Sequence, residues 1–387
     1  VNDRLPQFPR ATIIRRTAEL RRYVERWAAE PLLALDTESN SLYAYYERVC
    51  LVQLSTREQD FIIDPLALDD LSPLGALLAD PQIEIIFHAA EYDIISLKRD
   101  FGFEFAHIFD TMLAARICGW KRIGLGNILA ERFGVRAEKK YQRADWTQRP
   151  LPPEQLHYAQ MDTHFLPELR DQLRAELEAM GRLEEAHEIF SELPRLAPAH
   201  HTFDPEGYWR IHGVREMPRE QMSIVRELYL LRDAIARRRN KPVFKIFSDQ
   251  TLLHIAKIEP RRLEDLYTVR GLSSRLVQSK GHAILEAVAR GQRSAPPARP
   301  KRTRHVDPQV LERYDALQNW RKRRAAERGV ESDIILGRET MWTLARTAPT
   351  RPEDLANIPG LGPWRRAEYG EELLALLTRK KGKRRRV

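Results

Sequence analysis

Four carboxylates and a tyrosine carry the chemistry that this sequence offers. Asp36 and Glu38 stand one residue apart at the end of the apolar run Leu32-Leu33-Ala34-Leu35. Asp93 follows a second apolar run, which ends in Ile85-Ile86-Phe87-His88. Tyr158 and Asp162 are four residues apart. Two like charges held close repel unless a cation or a shared proton lies between them, so Asp36 and Glu38 fit a divalent-metal site. They fit a turn and helix start as well, because Asp, Thr and Ser are good N-caps. A tyrosine and an aspartate facing one spot could place a water beside an ion, and an exposed helix with one core aromatic has the same pattern.

The elements that must position these groups follow from residue pattern. Leu32–Leu35, after Pro31, reads as a buried strand. Side chains alternate along a strand, so Asp36 and Glu38 leave its end on one face. Ile83–His88 reads as another strand, and Glu91–Lys98 as the helix after it, with Asp93 in its first turn. Such a junction is where α/β sheets place functional groups, although the helix dipole favours an Asp there anyway. A spacing of four sets Tyr158 and Asp162 on one helix face. Val49–Ser55 and Asp60–Asp64 read as adjacent antiparallel strands, and Ala11–Glu30 as a lead-in helix. Asp110 reads as the N-cap of a helix over 111–120, and a further helix is expected over 125–133. Strands interleaved with helices give an α/β sheet.

A chain of 387 residues implies two or three domains, and 43% apolar residues are enough for real cores. Apolar runs fall far short of the roughly 18–20 residues of a membrane helix, and residues 1–30 lack a signal-peptide core, so no membrane role is expected. Cys50 and Cys118 form no metal-binding or disulfide pattern and fit a reducing, cytoplasmic setting. Charge is unevenly spread. Residues 216–387 hold 38 Lys+Arg against 21 Asp+Glu, or +17, whereas residues 1–215 hold 26 against 34, or −8. This favours a cation-dependent site beside a polyanion grip, with nucleic acid as partner, over merely solvated faces.

The back half repeats itself. Shifting 232–285 by 89 positions superposes them on 321–374 without a gap, with Arg232 on Arg321, Thr251 on Thr340 and Gly271-Leu272 on Gly360-Leu361. Two copies of one small helical domain follow, joined by a Pro/Arg-rich linker. In the second copy Pro359-Gly360-Leu361-Gly362 has the look of a turn whose free N–H groups meet a phosphate, and equally of a plain connection. The tail Arg379–Arg386 fits flexible counter-charge for a phosphate backbone or a nuclear localisation signal.

Taken together, the Asp-x-Glu strand end, the Asp after a His-Ala junction and the Tyr-x-x-x-Asp helix resemble the DEDD 3′→5′ exonucleases of the tyrosine subclass. Tyr141-Gln142-Arg143-Ala144-Asp145-Trp146, Arg149-Pro150-Leu151, Phe109-Asp110-Thr111 and Asp162-Thr163-His164 resemble ribonuclease D in particular, over residues 25–180. The same features recur in the exosome-associated nuclear exonuclease. Each repeat resembles an HRDC domain, and tandem copies are the ribonuclease D arrangement.

The resemblance implies an α/β ribonuclease H-like exonuclease domain, a mixed sheet flanked by helices, followed by two small all-α HRDC domains. The expected boundaries are 1–210 for the nuclease, 211–291 and 307–378 for the repeats, 292–306 for the linker and 379–387 for the tail. It implies two divalent ions, Mg²⁺ or Mn²⁺, which suit an all-oxygen ligand set. Asp36 would bridge both ions, Glu38 and Asp162 would complete one site, Asp93 would hold the second ion, and Tyr158 would orient the attacking water. His88, Lys140, Arg143, Trp146, Arg238 and Arg323 are candidate nucleic-acid contacts. His88 and Lys140 fit structural roles equally, and Trp146 also fits a place packed beneath the active-site loop. The implied activity is 3′→5′ exoribonuclease action on tRNA precursors or other structured RNA with 3′ extensions, by a monomer. A DNA 3′→5′ exonuclease and a non-catalytic nucleic-acid binder are the alternatives. No Gly-x-x-x-x-Gly-Lys-Ser/Thr loop occurs, so no nucleotide cofactor is expected.

Overall fold

The computed structural model describes residues 9–136, 139–199, 202–300 and 306–378. Linker residues 301–305 and the basic tail 379–387 lie outside the described residues. Among the described residues no helix is long and apolar enough to cross a membrane. The chain forms two compact units. One takes in the described parts of Val1–Glu38, Val49–Ala199 and His305–Val387, and the other those of Ser39–Arg48 and His200–Arg304. Spatial grouping thus departs from chain order. The second repeat joins the sheet domain, and a ten-residue segment after Glu38 joins the first repeat.

The first unit is built on a mixed six-stranded sheet flanked by helices, as the sequence led us to expect. Its strands are β1 (Thr12–Ile14), β2 (Leu32–Ser39), β3 (Val49–Ser55), β4 (Asp60–Ile63), β5 (Glu84–Phe87) and β6 (Ile108–Asp110), in the order β1-β4-β3-β2-β5-β6. The β2–β5 and β5–β6 pairs are parallel and β3–β4 is antiparallel. Its helices are α1 (Thr17–Trp27), α2 (Ser72–Leu78), α3 (Glu91–Phe101), α4 (Thr111–Cys118), α5 (Leu125–Ile128), α6 (Pro153–His164), α7 (Leu166–Ala179) and α8 (Leu183–Phe190). The expected lead-in helix starts later than its rhythm implied. Thr12-Ile13-Ile14 is β-branched throughout and pairs in parallel with β4, so the helix begins only at Thr17.

Strand alternation divides the core into two layers. On β2, Leu33 and Leu35 pack with Ile14, Phe87 and Leu97 on one face, while Leu32 and Ala34 pack with Phe109, Ala114 and Leu173 on the other. Asp36 and Glu38 continue the Leu32/Ala34 face by the same period of two, and Thr37 continues the Leu33/Leu35 face.

The two repeats keep their 89-residue offset in space. In the second unit, α9 (Arg219–Arg239), α10 (Val243–Ile246), α11 (Asp249–Ile258), α12 (Leu263–Tyr267) and α13 (Ser274–Arg293) enclose one apolar core. In the first unit, α14 (Pro308–Arg328), α15 (Ser332–Ile335), α16 (Arg338–Thr347), a 3₁₀ turn at Pro352–Asn357 and α17 (Pro363–Thr378) enclose another. Arg232 donates to the Phe247 carbonyl at 3.1 Å, and its counterpart Arg321 to the Leu336 carbonyl at 2.9 Å. Thr251 and Thr340 each send a hydroxyl across the following turn, to the Arg270 and Pro359 carbonyls. The turn glycines Gly271 and Gly360 both have positive φ, and a Cβ on either would strike that threonine hydroxyl.

The turn Pro359–Gly362 is not open to a phosphate. Glu188 on α8 accepts the backbone N–H of Trp364 at 2.6 Å and of Arg365 at 3.4 Å, and so caps α17. Beside it, Arg328 forms an ion pair with buried Glu185 and donates to the Tyr369 hydroxyl at 2.5 Å. Arg116 bonds Glu331 at 2.7 Å and Asp333 at 2.6 Å, and Ile334 enters the apolar layer under α4 and α7. The helix start that resembled a nucleic-acid contact is therefore a docking contact with the nuclease sheet domain.

Candidate functional site

Three elements bring the predicted carboxylates together. Asp36, Glu38 and Asp162 each present one carboxylate oxygen, and these oxygens all lie within 4.8 Å of one another. Asp93 is held apart from this trio. The helix α3 packs on the Leu33/Leu35 face, and Asp93 Oδ1 accepts both the Thr37 N–H at 3.0 Å and the Thr37 hydroxyl at 2.5 Å. It is 6% exposed and still repels Asp36, Glu38 and Asp162.

The electrostatics of this group are unfavourable by themselves. Burial, then repulsion from Asp93, Asp162 and Glu38, pushes the Asp36 carboxyl well above the usual range. Burial followed by repulsion from Asp162 and Asp93 does the same to Glu38. Burial lifts Asp162 to about 8, with Asp93 adding to it. Asp93 itself is raised to about 7, chiefly by burial and against the hydrogen bonds from Thr37. A cation among these carboxylates would favour their ionised forms at neutral pH, and an all-oxygen set suits a hard divalent ion.

Tyr158 and Asp162 sit one turn apart on α6, and the tyrosine hydroxyl hydrogen-bonds Asp162. Burial, followed by repulsion from Asp162, Glu38 and Asp36, raises the phenol far above its ordinary value, so it remains a donor. Its ring lies 6.3 Å from Trp146 and 5.8 Å from Tyr141. Trp146 is 1% exposed, so its ring has no face to offer a base, and it supports Tyr158 from below. The place of α6 is fixed by a buried polar network. Gln160 donates to Asp60 Oδ2 at 2.6 Å, His164 Nδ1 lies 2.8 Å from the same oxygen, and Ser55 bridges Asp60 and Thr163. Burial would raise the Asp60 carboxyl, but the hydrogen bonds from His164, Ser55 and Gln160 outweigh it and hold it low.

The junction after β5 is held by Asp110. Its buried carboxylate accepts N–H groups from Ala89 at 3.2 Å and Ala90 at 2.8 Å while capping α4 through Met112 and Leu113. Ala89 has a φ of +67°, a region that residues with a Cβ seldom occupy, and Asp110 braces it there. His88 lies in the site wall with Nδ1 2.9 Å from Thr111 Oγ1. Burial lowers its imidazole to about 4, so at neutral pH it offers a neutral ring and no charge to a phosphate.

A cavity of about 890 Å³ opens at the site. Asp36, Glu38, Asp162 and Tyr158 border it together with Arg122, Arg136, Asn127 and Gln142, the last of which also bonds Tyr158. Lys140 and Arg143 stand exposed on the 3₁₀ turn Lys139–Arg143 and are not among the lining residues. Arg238 belongs to α9 of the second unit, and Arg323 is exposed on α14.

Comparison with known proteins identifies the family. A 3′-5′ exonuclease family model matches residues 11–178, and an HRDC domain model matches 221–288 and again 310–377. Ribonuclease D of Gluconacetobacter diazotrophicus is 33% identical over 375 residues, covering 95% of this chain and 93% of that protein. The chain belongs to the ribonuclease D family. The crystal structure of Escherichia coli RNase D, described as an exoribonuclease involved in structured RNA processing, is similar at 27% identity. The match has a TM-score of 0.66 and covers 95% of this chain and 99% of that one. The catalytic core of RRP6 from Trypanosoma brucei is similar at 28% identity and a TM-score of 0.68, covering 75% of this chain and 81% of that one. Within this ribonuclease D family framework, sequence reasoning missed the cationic rim of Arg122 and Arg136. The signal available was Gly124 just before α5, a helix start that lines the cavity together with Arg122.

Proposed function

We propose that this chain, a 3′→5′ exoribonuclease by family, releases 5′-mononucleotides with two divalent ions, Mg²⁺ or Mn²⁺, held by Asp36, Glu38, Asp93 and Asp162. The observation that carries this reading is the trio of half-buried carboxylates whose oxygens lie within 4.8 Å, all with raised proton affinity. When bound, the ions supply an acidified water and neutralise charge on the leaving 3′-oxygen. Tyr158 stays protonated and would orient an attacking water by hydrogen bonding. Arg122 and Arg136 receive the phosphates of the 3′-terminal nucleotides at the cavity rim. Asp60 and Asp110 hold α6 and the β5–α3 junction in register. The substrates are tRNA precursors or other structured RNA with 3′ extensions, and the protein acts as a monomer. Cys50 and Cys118 are buried and not joined in a disulfide, which supports a reducing compartment, the cytoplasm.

The test is digestion of a 5′-labelled tRNA bearing a 3′ extension, with and without Mg²⁺, beside a DNA oligomer of matched length. A ladder shortening from the 3′ end on RNA supports the proposal. Equal trimming of DNA would move the reading to a repair-type exonuclease, and no metal-dependent trimming would refute it. In the same assay Tyr158→Phe is expected to lower kcat about 100-fold with little change in KM, because water alignment is lost while binding is kept.

Raised carboxyl pKa values also set a pH dependence. Asp93 and Asp162 titrate near 7 and 8 in the folded metal-free protein, above the unfolded value of about 3.9. The folded state therefore holds extra protons between these limits. The contribution of these groups to stability is fully present below about pH 4 and is lost as pH rises through 7 to 8. Divalent cations bind the ionised forms, so the gain in Tm on adding Mg²⁺ is expected to widen from pH 6 to pH 8.5. Thermal melts across that range check this, and a gap that does not vary with pH would remove these carboxylates from the ligand set.

A further inference from the structure

The first repeat carries a surface that the nuclease chemistry leaves unexplained. In the second unit, the segment Ser39–Arg48 is fastened to the turn between α9 and α10. Asn240, in the left-handed region at the end of α9, accepts the backbone N–H groups of Tyr45 and Tyr46, both at 3.0 Å. The Tyr45 hydroxyl donates to Asp233 at 2.6 Å, and its ring enters the core of the repeat. Tyr46 stands edge-on to Tyr45, with ring centroids 5.0 Å apart, and is 60% exposed. Phe244, four residues beyond Asn240, is 53% exposed. The neighbouring Lys245 ammonium lies 3.8 Å over the Tyr43 ring, and Lys241 and Arg238 are exposed on the same turn and helix end.

The second repeat shows what this turn does when it is used for docking. Its counterparts of Lys241, Pro242, Phe244 and Lys245 are Val330, Glu331, Asp333 and Ile334. Glu331 and Asp333 pair with Arg116, and Ile334 is buried under the nuclease helices. In the first repeat the corresponding region leaves Phe244 exposed among cations, and exposed Tyr46 is fastened to the same turn through Asn240. Charge divides the copies in the same way. Residues 219–293 hold 16 Lys+Arg against 8 Asp+Glu, while 308–378 hold 11 against 11.

We propose that Tyr46 and Phe244 form a stacking platform for unpaired bases of the RNA, with Arg238, Lys241 and Lys245 receiving the adjoining phosphates. This rests on the reading of the chain as an RNA exonuclease. Flat rings flanked by cations match a single strand, whose bases are free to stack and whose backbone carries charge. A duplex offers its bases no such access. The second repeat, neutral and docked on the nuclease, serves as a structural element.

The test is fluorescence anisotropy of the full-length protein in an Asp36→Asn background, with a 12-nucleotide single strand and a 12-base-pair RNA duplex. Tyr46→Ala and Phe244→Ala are each expected to raise Kd for the single strand on the order of 10-fold. Phe244→Tyr restores binding, and Phe244→Leu does not. Lys241→Gln and Lys245→Gln each reduce the slope of log affinity against log salt by about 0.7. A 2-aminopurine probe placed along the strand is quenched at the platform and loses that quenching in the alanine variants. Unchanged affinity in both alanine variants overturns the platform, as does full rescue by leucine, which would mark an apolar protein-docking surface. Equal losses on strand and duplex overturn it too. Trimming by the wild-type protein is scored separately. A chain that trims RNA but ignores these substitutions loses the platform and keeps the function, whereas one that binds and never trims loses the function alone.

Discussion

Asp36→Asn is expected to abolish hydrolysis while making the metal-free protein more stable. Burial and repulsion from three neighbouring carboxylates act on Asp36 together. A neutral isostere keeps the strand geometry and removes one charge from the cluster. The apo protein is then expected to gain about 1–2 kcal/mol, which corresponds to roughly 2–8 °C in Tm. Activity falls on the order of 10³-fold or more, because the charge that would hold the ions and the reacting phosphate is gone. Single-turnover trimming of RNA and melting in EDTA give the two readings. A variant that keeps its rate, or that melts earlier in EDTA than the parent, contradicts this account of the site.

The second large effect lies at the docking of the second repeat. Glu185 is buried, and Arg328 supplies its charge partner while also bonding Tyr369. Arg328→Met leaves a buried carboxylate unpaired and is expected to cost about 3–5 kcal/mol. Glu185→Leu in the same background removes the orphaned charge, so the double variant should recover most of the loss. Urea unfolding of both singles and the double, followed by tryptophan fluorescence, measures the coupling. A loss under 1 kcal/mol for Arg328→Met would mean that water reaches Glu185 and that the repeat is loosely held.

Much of the site was legible because it obeys two local periods. Alternation along β2 sets Asp36 and Glu38 on one face, and a spacing of four on α6 sets Tyr158 beside Asp162. The 89-residue offset likewise reports internal contacts faithfully, down to the paired arginines Arg232 and Arg321. What the sequence did not show is which outside surface covers each copy. Repeats preserve their interiors, whereas docking depends on single residues of a distant element, such as Glu188 on α8. The same limit hid the attachment of Ser39–Arg48 to the first repeat, and for Trp146 it left two readings open, of which the packed one matches its place beside Tyr158. An aromatic side chain in a polar block has one spelling whether it faces solvent or core. Arg122 and Arg136 were missed because a basic residue outside a motif looks like any solvated charge.

The capping of α17 by Glu188 has a consequence for synthesis. Trp364 lies 176 residues after its partner, and at roughly 5–20 residues per second the ribosome needs about 10–35 s to span that gap. All of the first repeat is made in the interval, with Ser39–Arg48 already available, so it is free to complete its fold first. The nuclease unit closes last, when α14 and α17 arrive to neutralise Glu185 and Glu188 and to cover the apolar surface that Ile334 fills. A message truncated before codon 308, ahead of α14, would therefore release a chain with two uncompensated glutamates beside an exposed apolar patch. Incompletely folded chains are triaged by chaperones and proteases, so such a product is expected to be removed before it acts on RNA.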